Sequence, residues 1–201
     1  MTDPFRVCFV CTGNICRSPM AESVFRAQLA EDGLDGLVEV GSAGTGGWHE
    51  GDGADPRTVA VLRAAGYPPA HTARQFHPSW FDHLDLVIAL DSGHLRELRR
   101  LAPTRQAAAK VRLLRSYTES GADAARTADT GADDLEVPDP YYGGFEDFEE
   151  CLDMIEEACD GLLTAVRTAV TARALIQART SAHDGRHTTR PPHSPQHRES
   201  A

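Results

Sequence analysis

The chain has 201 residues and a formal net charge of −10 at pH 7, from 20 basic and 30 acidic side chains. This length suits one domain with an appended segment, and the negative charge argues against nucleic acid as a partner, because phosphate backbones attract basic surfaces. No apolar run is long enough to span a membrane, and the N-terminus lacks a signal-peptide pattern. We therefore expect a cytoplasmic protein, with signal-less export as the alternative.

The first predicted elements are a buried strand and a helix joined by a short loop. Residues 7–11 form an apolar run rich in β-branched and aromatic side chains, which indicates the strand. Ser18 and Pro19 are typical of the N-cap and the first residue of a helix, and the pattern predicts that this helix ends near Gly33. Glu22 is expected in the first turn, where a negative charge suits the helix dipole.

Strands and helices then alternate along the chain. The patterns predict further strands at residues 37–42, 84–90 and 110–114, and helices at residues 57–65, 91–101 and from 145 onward. Parallel strands need crossover connections, so we predict an α/β fold of three layers: a doubly wound, four-stranded parallel sheet with helices on both faces. Ligands bind such sheets at the carboxyl ends of strands, where the loop after the first strand lies.

The domain is predicted to span residues 1–174. Residues 116–136 are polar and indicate a long surface loop. Residues 175–201 are rich in Arg, His, Thr, Ser and Pro, which predicts a disordered polar tail; the alternative is a basic segment that binds a partner.

The loop after the first strand has the composition of an anion site. Backbone N–H groups of a tight loop and of a helix N-terminus converge on a phosphate-sized anion, and Arg17 adds a planar fork for two oxygens. The same positive field favours the thiolate form of Cys11, a candidate nucleophile. Gly13 permits close approach of the backbone, and Asn14 tolerates the left-handed conformation.

The stretch from Cys11 to Pro19 resembles the signature of the low-molecular-weight protein tyrosine phosphatases, and the segment from Asp139 to Tyr142 matches a second motif of that family. The resemblance covers residues 5–170. It implies the phosphotyrosine phosphatase I-like fold and hydrolysis of phosphotyrosine and small aryl phosphates through a phosphocysteine intermediate, without a metal or other cofactor. It also implies that Cys11 is the nucleophile, Arg17 the phosphate ligand and Asp139 the general acid and base.

The resemblance also assigns supporting residues. Ser18 is expected to hydrogen-bond the Cys11 sulfur, and Ser42 and His71 are expected to support the loop together with Asn14. Three exposed aromatic side chains are expected to form a slot for a flat aryl phosphate: Trp48, Tyr141 and Tyr142. The expected phosphate and substrate contacts of the loop come from Thr12, Gly13, Asn14, Ile15, Cys16 and Ser18.

Other interpretations of single residues stay open. Asp139 lies in a Val-Pro-Asp-Pro string that is also typical of an ordinary turn. Cys16 is either a packed small side chain or a thiol that traps oxidised Cys11 as a disulfide. Cys8 and Cys11 have Cys-x-x-Cys spacing, but an odd spacing in a strand sends the two side chains to opposite faces, which argues against a redox pair or a zinc site.

Two alternatives to phosphatase activity remain at the level of the sequence, arsenate reduction and phosphotyrosine binding without turnover. Arsenate reduction on a similar fold uses further cysteines after the third strand, and residues 89–93 contain none. A phosphotyrosine-binding module without turnover would need neither a thiolate nor an acid. The resemblance implies that the partners are phosphotyrosine-containing proteins and small aryl phosphates. We expect neither nucleic acid nor a membrane as a partner, and we expect the protein to be a monomer or a weak dimer.

Overall fold

The computed structural model describes residues 3–118 and 135–184, with side chains described as far as residue 179. The strands are β1 (Phe5–Cys11), β2 (Val38–Gly44), β3 (Leu86–Ala89) and β4 (Val111–Leu113). The helices are α1 (Arg17–Glu31), α2 (Pro56–Ala64), α3 (Ser92–Leu101), α4 (Arg105–Ala109) and α5 (Phe145–Asp184). Two short 3-10 helices, Pro78–Asp82 and Leu114–Tyr117, lie between them.

The four strands form one parallel sheet in the order β2-β1-β3-β4, which confirms the predicted doubly wound architecture. β1 lies between β2 and β3, so that Val10 is in register with Ala43 on one side and with Ala89 on the other. The chain leaves β1 in one direction toward β2 and later returns to the other side at β3. The carboxyl end of β1 is therefore the topological switch point at which such sheets bind ligands.

Alternate residues of β1 pack into two separate cores. Val7, Phe9 and Cys11 belong to the core shared with α1, α2 and α5, whereas Cys8 and Val10 belong to the core shared with α3 and α4. This period-two pattern covers both faces of the sheet with helices. It also places the Cys8 and Cys11 side chains on opposite faces, as expected. All five cysteines are buried free thiols.

The beginning of α1 differs from the sequence prediction. The helix begins at Arg17 with Cys16 in the N-cap position, and Ser18 is its second residue rather than its cap. Glu22 consequently lies beyond the first turn. The Ser18 hydroxyl instead hydrogen-bonds the side chains of Cys11 and Asn14. A serine hydroxyl that bonds other nearby groups is no longer available to cap a helix.

The final helix is longer than expected. The predicted apolar stripe is confirmed, because Phe148, Leu152, Ile155, Cys159, Leu162 and Val166 are all buried. However, α5 continues to Asp184, so residues 175–184 are helical where the sequence indicated disorder. Ala, Leu, Gln and Arg are good helix formers, and they follow without a Gly or Pro to end the helix. The domain boundary at residue 174 stays a prediction, and residues 119–134 and 185–201 lie outside the described residues.

No helix in the described part of the chain combines the length and the apolar character that crossing a membrane would require.

Candidate active site

The loop of residues 12–16 leads from the carboxyl end of β1 to Arg17 at the start of α1. Asn14 has a φ of 57°, which confirms the expected left-handed conformation. The backbone N–H groups of residues 12–17 donate no hydrogen bond to any residue that the structure describes. Since N–H groups inside a protein normally have acceptors, this set of free donors is suited to bind an anion.

Cys11 lies at the floor of this loop, and its Sγ is 3.0 Å from Ser18 Oγ. The side-chain amide of Asn14 donates to the same Ser18 oxygen at 2.9 Å. The Ser18 hydroxyl can therefore use its own proton toward the Cys11 sulfur, and its other acceptor within reach is the carbonyl of Ala43 at 3.3 Å. A hydroxyl donor beside the sulfur stabilises a thiolate.

Asn14 is the centre of the network behind the loop. Its amide donates to Ser42 Oγ at 2.9 Å, and its side-chain oxygen accepts the backbone N–H of Arg74 at 2.9 Å. His71 Nε2 lies 2.6 Å from the Asn14 carbonyl oxygen, and Ser42 donates to Glu22 Oε2 at 2.5 Å. The structure thus brings together the three predicted supporting residues and adds Glu22, whose spacing in the sequence gave no hint of this contact.

Arg17 is almost completely buried and has four acceptors around its guanidinium. Nη1 donates to Asp91 Oδ2 at 2.8 Å and to the carbonyl of Val137 at 3.1 Å, while Nη2 donates to Asp139 Oδ2 at 2.6 Å and to Thr12 Oγ1 at 3.4 Å. Burial tends to lower the pKa of Arg17. The negative charges of Cys11, Asp139 and Asp91 outweigh burial and raise the pKa above its ordinary value, so the side chain stays charged.

Asp91 lies at the start of the helix predicted at residues 91–101, and the sequence did not identify it as a site residue. It does cap α3, because Oδ1 accepts the backbone N–H of His94 at 2.8 Å, and its other oxygen holds Arg17. His94 Nδ1 lies 2.9 Å from Asp91 Oδ1, and His94 Nε2 lies 2.9 Å from Thr12 Oγ1. Burial would raise the pKa of Asp91, but the hydrogen bonds from His94 and the charge of Arg17 prevail and hold it well below its usual range.

A cavity of about 390 Å³ opens above Cys11. Asp139 lies in its wall, and Trp48 and Tyr142 are 71% and 94% exposed at its rim. The residues that line it are Cys11, Thr12, Gly13, Ile15, Cys16, Arg17, Trp48, His49, Asp139, Tyr141 and Tyr142. Two residues expected to contact substrate, Asn14 and Ser18, do not line the cavity, because their fully buried side chains face the network behind the loop.

His49 is a cavity residue that the sequence analysis missed. Its ring packs over Gly13, where an added Cβ would come within 3.0 Å of His49 Cδ2. His49 Nδ1 also lies 3.1 Å from Asp52 Oδ2. The sequence signal for His49 is its position directly after Trp48, in a segment that contains Gly44, Gly46, Gly47 and Gly51.

Cys16 also borders the cavity. Burial, followed by the negative charge of Asp55, raises the pKa of Cys16 to about 12. The side chain is therefore a neutral thiol at physiological pH. The Cys11 sulfur lies beside the Ser18 hydroxyl, whereas the Cys16 sulfur lies near the Asp55 carboxylate.

A thiol beside a buried arginine, under free backbone donors at the switch point of a parallel sheet, defines the class of cysteine-dependent enzymes that act on an oxyanion. Residues 6–172 match the low molecular weight phosphotyrosine protein phosphatase family. The chain is 65% identical over 170 residues to a low molecular weight protein-tyrosine-phosphatase of Streptomyces coelicolor, an alignment that covers 85% of this chain and 98% of that protein.

Two further relatives agree with this match. A low molecular weight protein-tyrosine phosphatase A of Mycobacterium tuberculosis is 50% identical over 81% of this chain and 91% of its own. The crystal structure of a protein tyrosine phosphatase from Entamoeba histolytica, with Hepes in the active site, superposes with a TM-score of 0.73 at 33% identity, over 82% of this chain and 98% of that chain. This chain belongs to the low molecular weight phosphotyrosine protein phosphatase family, and its activity is that of a protein-tyrosine phosphatase, cysteine-dependent and metal-independent by family.

Proposed function

We propose that Cys11 is the nucleophile of this phosphatase, that Arg17 and the loop N–H groups bind the phosphoryl group, and that Asp139 is the general acid and base. One observation carries the proposal: Cys11, Arg17 and Asp139 border one cavity, and the free N–H groups of residues 12–17 belong to the loop that forms its floor. A thiol, a fixed cation and a carboxyl group are the three components that hydrolysis of an aryl phosphate through a covalent intermediate requires.

In the first step, the Cys11 thiolate attacks phosphorus and forms the S–P bond while the P–O bond to the aryl group breaks. Asp139 donates its proton to the departing oxygen, which leaves as a phenol. Charge on the equatorial phosphoryl oxygens is stabilised by the Arg17 guanidinium and the loop N–H groups, which are in place before the reaction. Ser18 stabilises the thiolate through the hydrogen bond at 3.0 Å.

In the second step, a water molecule attacks the phosphorus of phosphocysteine. The Asp139 carboxylate takes a proton from that water, the S–P bond breaks, and the thiolate and inorganic phosphate are released. Asp139 is suited to both roles because its side chain is 43% exposed, so it can exchange protons with solvent between the steps.

The rim of the cavity supports an aryl phosphate as substrate. Trp48 is exposed, and the rings of Tyr141 and Tyr142 meet edge to face with their centroids 5.0 Å apart. Aromatic walls around a flat ring add favourable contact beyond the phosphoryl group itself. We propose that Thr12, Gly13, Ile15 and Cys16 contact the phosphoryl group and that these three aromatic residues contact the aryl ring.

We further propose that the substrates are phosphotyrosine side chains of proteins, encountered in the cytoplasm by a monomer or weak dimer. The five free thiols are compatible with a reducing compartment. The tyrosine ring is the natural occupant of a slot with aromatic walls, and the phosphotyrosine-protein activity in the names of the relatives points the same way.

The test is phosphate release from para-nitrophenyl phosphate with EDTA present, for the wild-type protein, Cys11→Ser and Asp139→Asn. We expect strong turnover by the wild type, loss of turnover in Cys11→Ser and a reduced rate in Asp139→Asn. Turnover that survives in Cys11→Ser would show that the nucleophile is another residue. Binding of an aryl phosphate by the wild type without any phosphate release would contradict the mechanism.

A further inference from the structure

The segment that carries Asp139 is held in place by a side chain from another element. Arg57, near the start of α2, donates from Nη2 to the carbonyl of Tyr141 and from Nη1 to the carbonyl of Gly143, both at 3.1 Å. Its guanidinium thus spans two carbonyls just after Asp139. Within the segment itself, the Tyr141 N–H donates to Asp139 Oδ1 at 3.2 Å, so the backbone at Tyr141 orients the Asp139 carboxyl directly.

Arg57 is itself fixed by its neighbours. Its Nε and Nη2 donate to Asp55 Oδ1 and Oδ2 at 3.0 and 2.9 Å, which is the two-pronged geometry that arginine forms with a carboxylate. The guanidinium also stacks over Phe148, 4.4 Å from the ring centroid. Asp55 is nearly buried, and the hydrogen bonds from Arg57 outweigh burial and lower the pKa of Asp55. The pair therefore stays ionised, and Arg57 has partners on both the carboxylate and the ring.

The same corner contacts the phosphate-binding loop. The backbone N–H of Asp55 donates to the carbonyl of Ile15 at 2.8 Å. Asp55 and Arg57 thus join the loop of the nucleophile to the segment of the acid, two parts of the chain that are more than 120 residues apart. A carboxylate and a guanidinium two residues apart at a helix start set the distance between these two parts.

We propose that Arg57 is a positioning residue for catalysis, which holds Asp139 at the height above Cys11 where its proton reaches the leaving oxygen. Arg57 acts through the backbone of residues 141 and 143 and does not line the cavity. The proposal rests on the assignment of Asp139 as the general acid. It goes further by naming the side chain that fixes the acid relative to the nucleophile.

A displaced general acid lowers the rate of hydrolysis most for substrates whose leaving group needs a proton. The phenolate of tyrosine is a poor leaving group, because its conjugate acid has a pKa of about 10, and it needs a proton in the transition state. The 2,4-dinitrophenolate ion is a far weaker base and leaves without one. A variant that impairs only proton transfer therefore hydrolyses phenyl phosphate more slowly and 2,4-dinitrophenyl phosphate at an unchanged rate. General misfolding lowers the rates for both substrates by the same factor.

The experiment measures kcat/KM for these two substrates, because kcat/KM reports the step that forms phosphocysteine. The proteins are the wild type, Arg57→Ala, Arg57→Lys and Asp139→Asn, with Arg63→Ala as the matched control, an exposed arginine on the same helix. We expect Arg57→Ala to lower kcat/KM about 10-fold or more for phenyl phosphate, a part of the 10²–10⁴-fold that a general acid contributes, and less than about 2-fold for 2,4-dinitrophenyl phosphate.

Arg57→Lys is expected to fall between the wild type and Arg57→Ala, because one ammonium group cannot span both carbonyls. Arg63→Ala should match the wild type. The ratio of the two kcat/KM values does not depend on the folded fraction, so a less stable Arg57→Ala protein still gives a clear answer. An unchanged ratio in Arg57→Ala, together with a changed ratio in Asp139→Asn, would overturn the positioning role alone. An unchanged ratio in Asp139→Asn would overturn the assignment of the acid itself.

Discussion

Arg17 and Asp139 form an ion pair in which Nη2 and Oδ2 are 2.6 Å apart. The pair joins the proposed phosphate ligand to the proposed acid. A phosphoryl oxygen that binds Nη2 competes with the Asp139 carboxylate for the same donor. We therefore expect a bound phosphoryl group to weaken the Arg17–Asp139 ion pair.

The first prediction concerns the charge of Asp139. We expect Asp139→Asn to lower kcat/KM for phenyl phosphate about 10²–10³-fold, within the range for loss of a general acid. Competitive inhibition by vanadate should become several-fold stronger, because Arg17 no longer has this carboxylate as a partner. Steady-state inhibition kinetics measure both effects. Asp153→Asn, an exposed acid on α5, is the control for net charge, and weaker vanadate binding in Asp139→Asn would contradict the competition.

The second prediction concerns Asn14, which combines a left-handed backbone with three side-chain hydrogen bonds. Asn14→Gly keeps the backbone conformation accessible and removes the amide, so we expect it to lower the free energy of unfolding by about 1–3 kcal/mol. Asn14→Ala adds a strained φ and should cost about 1 kcal/mol more. Urea denaturation measures both values, and equal stability of the two variants would show that the conformation carries no strain.

The third prediction concerns Asp91 and acid pH. Its pKa is lower in the folded than in the unfolded protein, so its contribution to stability is complete above the unfolded value of about 3.9 and is lost as pH falls toward the folded value. We expect Asp91→Asn to lower the free energy of unfolding at pH 7 by about 2 kcal/mol. The difference from wild type should shrink below about pH 4. Urea denaturation at pH 7 and pH 3 measures this difference in the free energy of unfolding, and Asp35→Asn, which changes an exposed acid, is the control. A difference between wild type and Asp91→Asn that is the same at both pH values would contradict the prediction.

The fourth prediction concerns Cys16 as a resolving thiol. The hypothesis is that hydrogen peroxide oxidises Cys11 to a sulfenic acid, and that the Cys16 thiol then attacks this sulfur, so that the disulfide forms while the thiol proton and the sulfenic hydroxyl leave as water. We expect peroxide-treated wild type to regain activity with dithiothreitol, and Cys16→Ala to lose this recovery because Cys11 oxidises further. Cys151→Ala removes another buried thiol and is the control. Unchanged recovery in Cys16→Ala would refute the role.

Much of the fold followed from local patterns. The continuous apolar runs at β1 and β3 and the helical spacing of the stripe from Phe148 to Val166 indicate burial, which is why the sheet and the final helix, although not the end of that helix, were predicted. The start of α1 was wrong by two residues. The capping preference of Ser18 competes with a hydrogen bond to Asn14 that no local pattern encodes.

Some of the site residues were likewise indicated by local sequence patterns, and others were not. Cys11 and Arg17 flank one short loop between a strand and a helix, and the loop composition together with the predicted helix start indicated an anion site. The segment from Asp139 to Tyr142 was matched to the site by family resemblance, and its turn-like composition gave no position. Asp91, His94 and Arg57 were not identified as site residues, since each is an ordinary helix-start residue in the sequence.

The sequence by itself determined the α/β fold, the loop between Cys11 and Arg17, and the family, because these depend on local patterns along the chain. Only the tertiary structure decided that Asp91 and Asp139 share the guanidinium of Arg17, and that Arg57 hydrogen-bonds the carbonyl of Tyr141, two residues after Asp139. Those contacts join residues more than 70 positions apart. Their distances depend on how the packed sheet and helices bring the loops together, and no local periodicity carries that information.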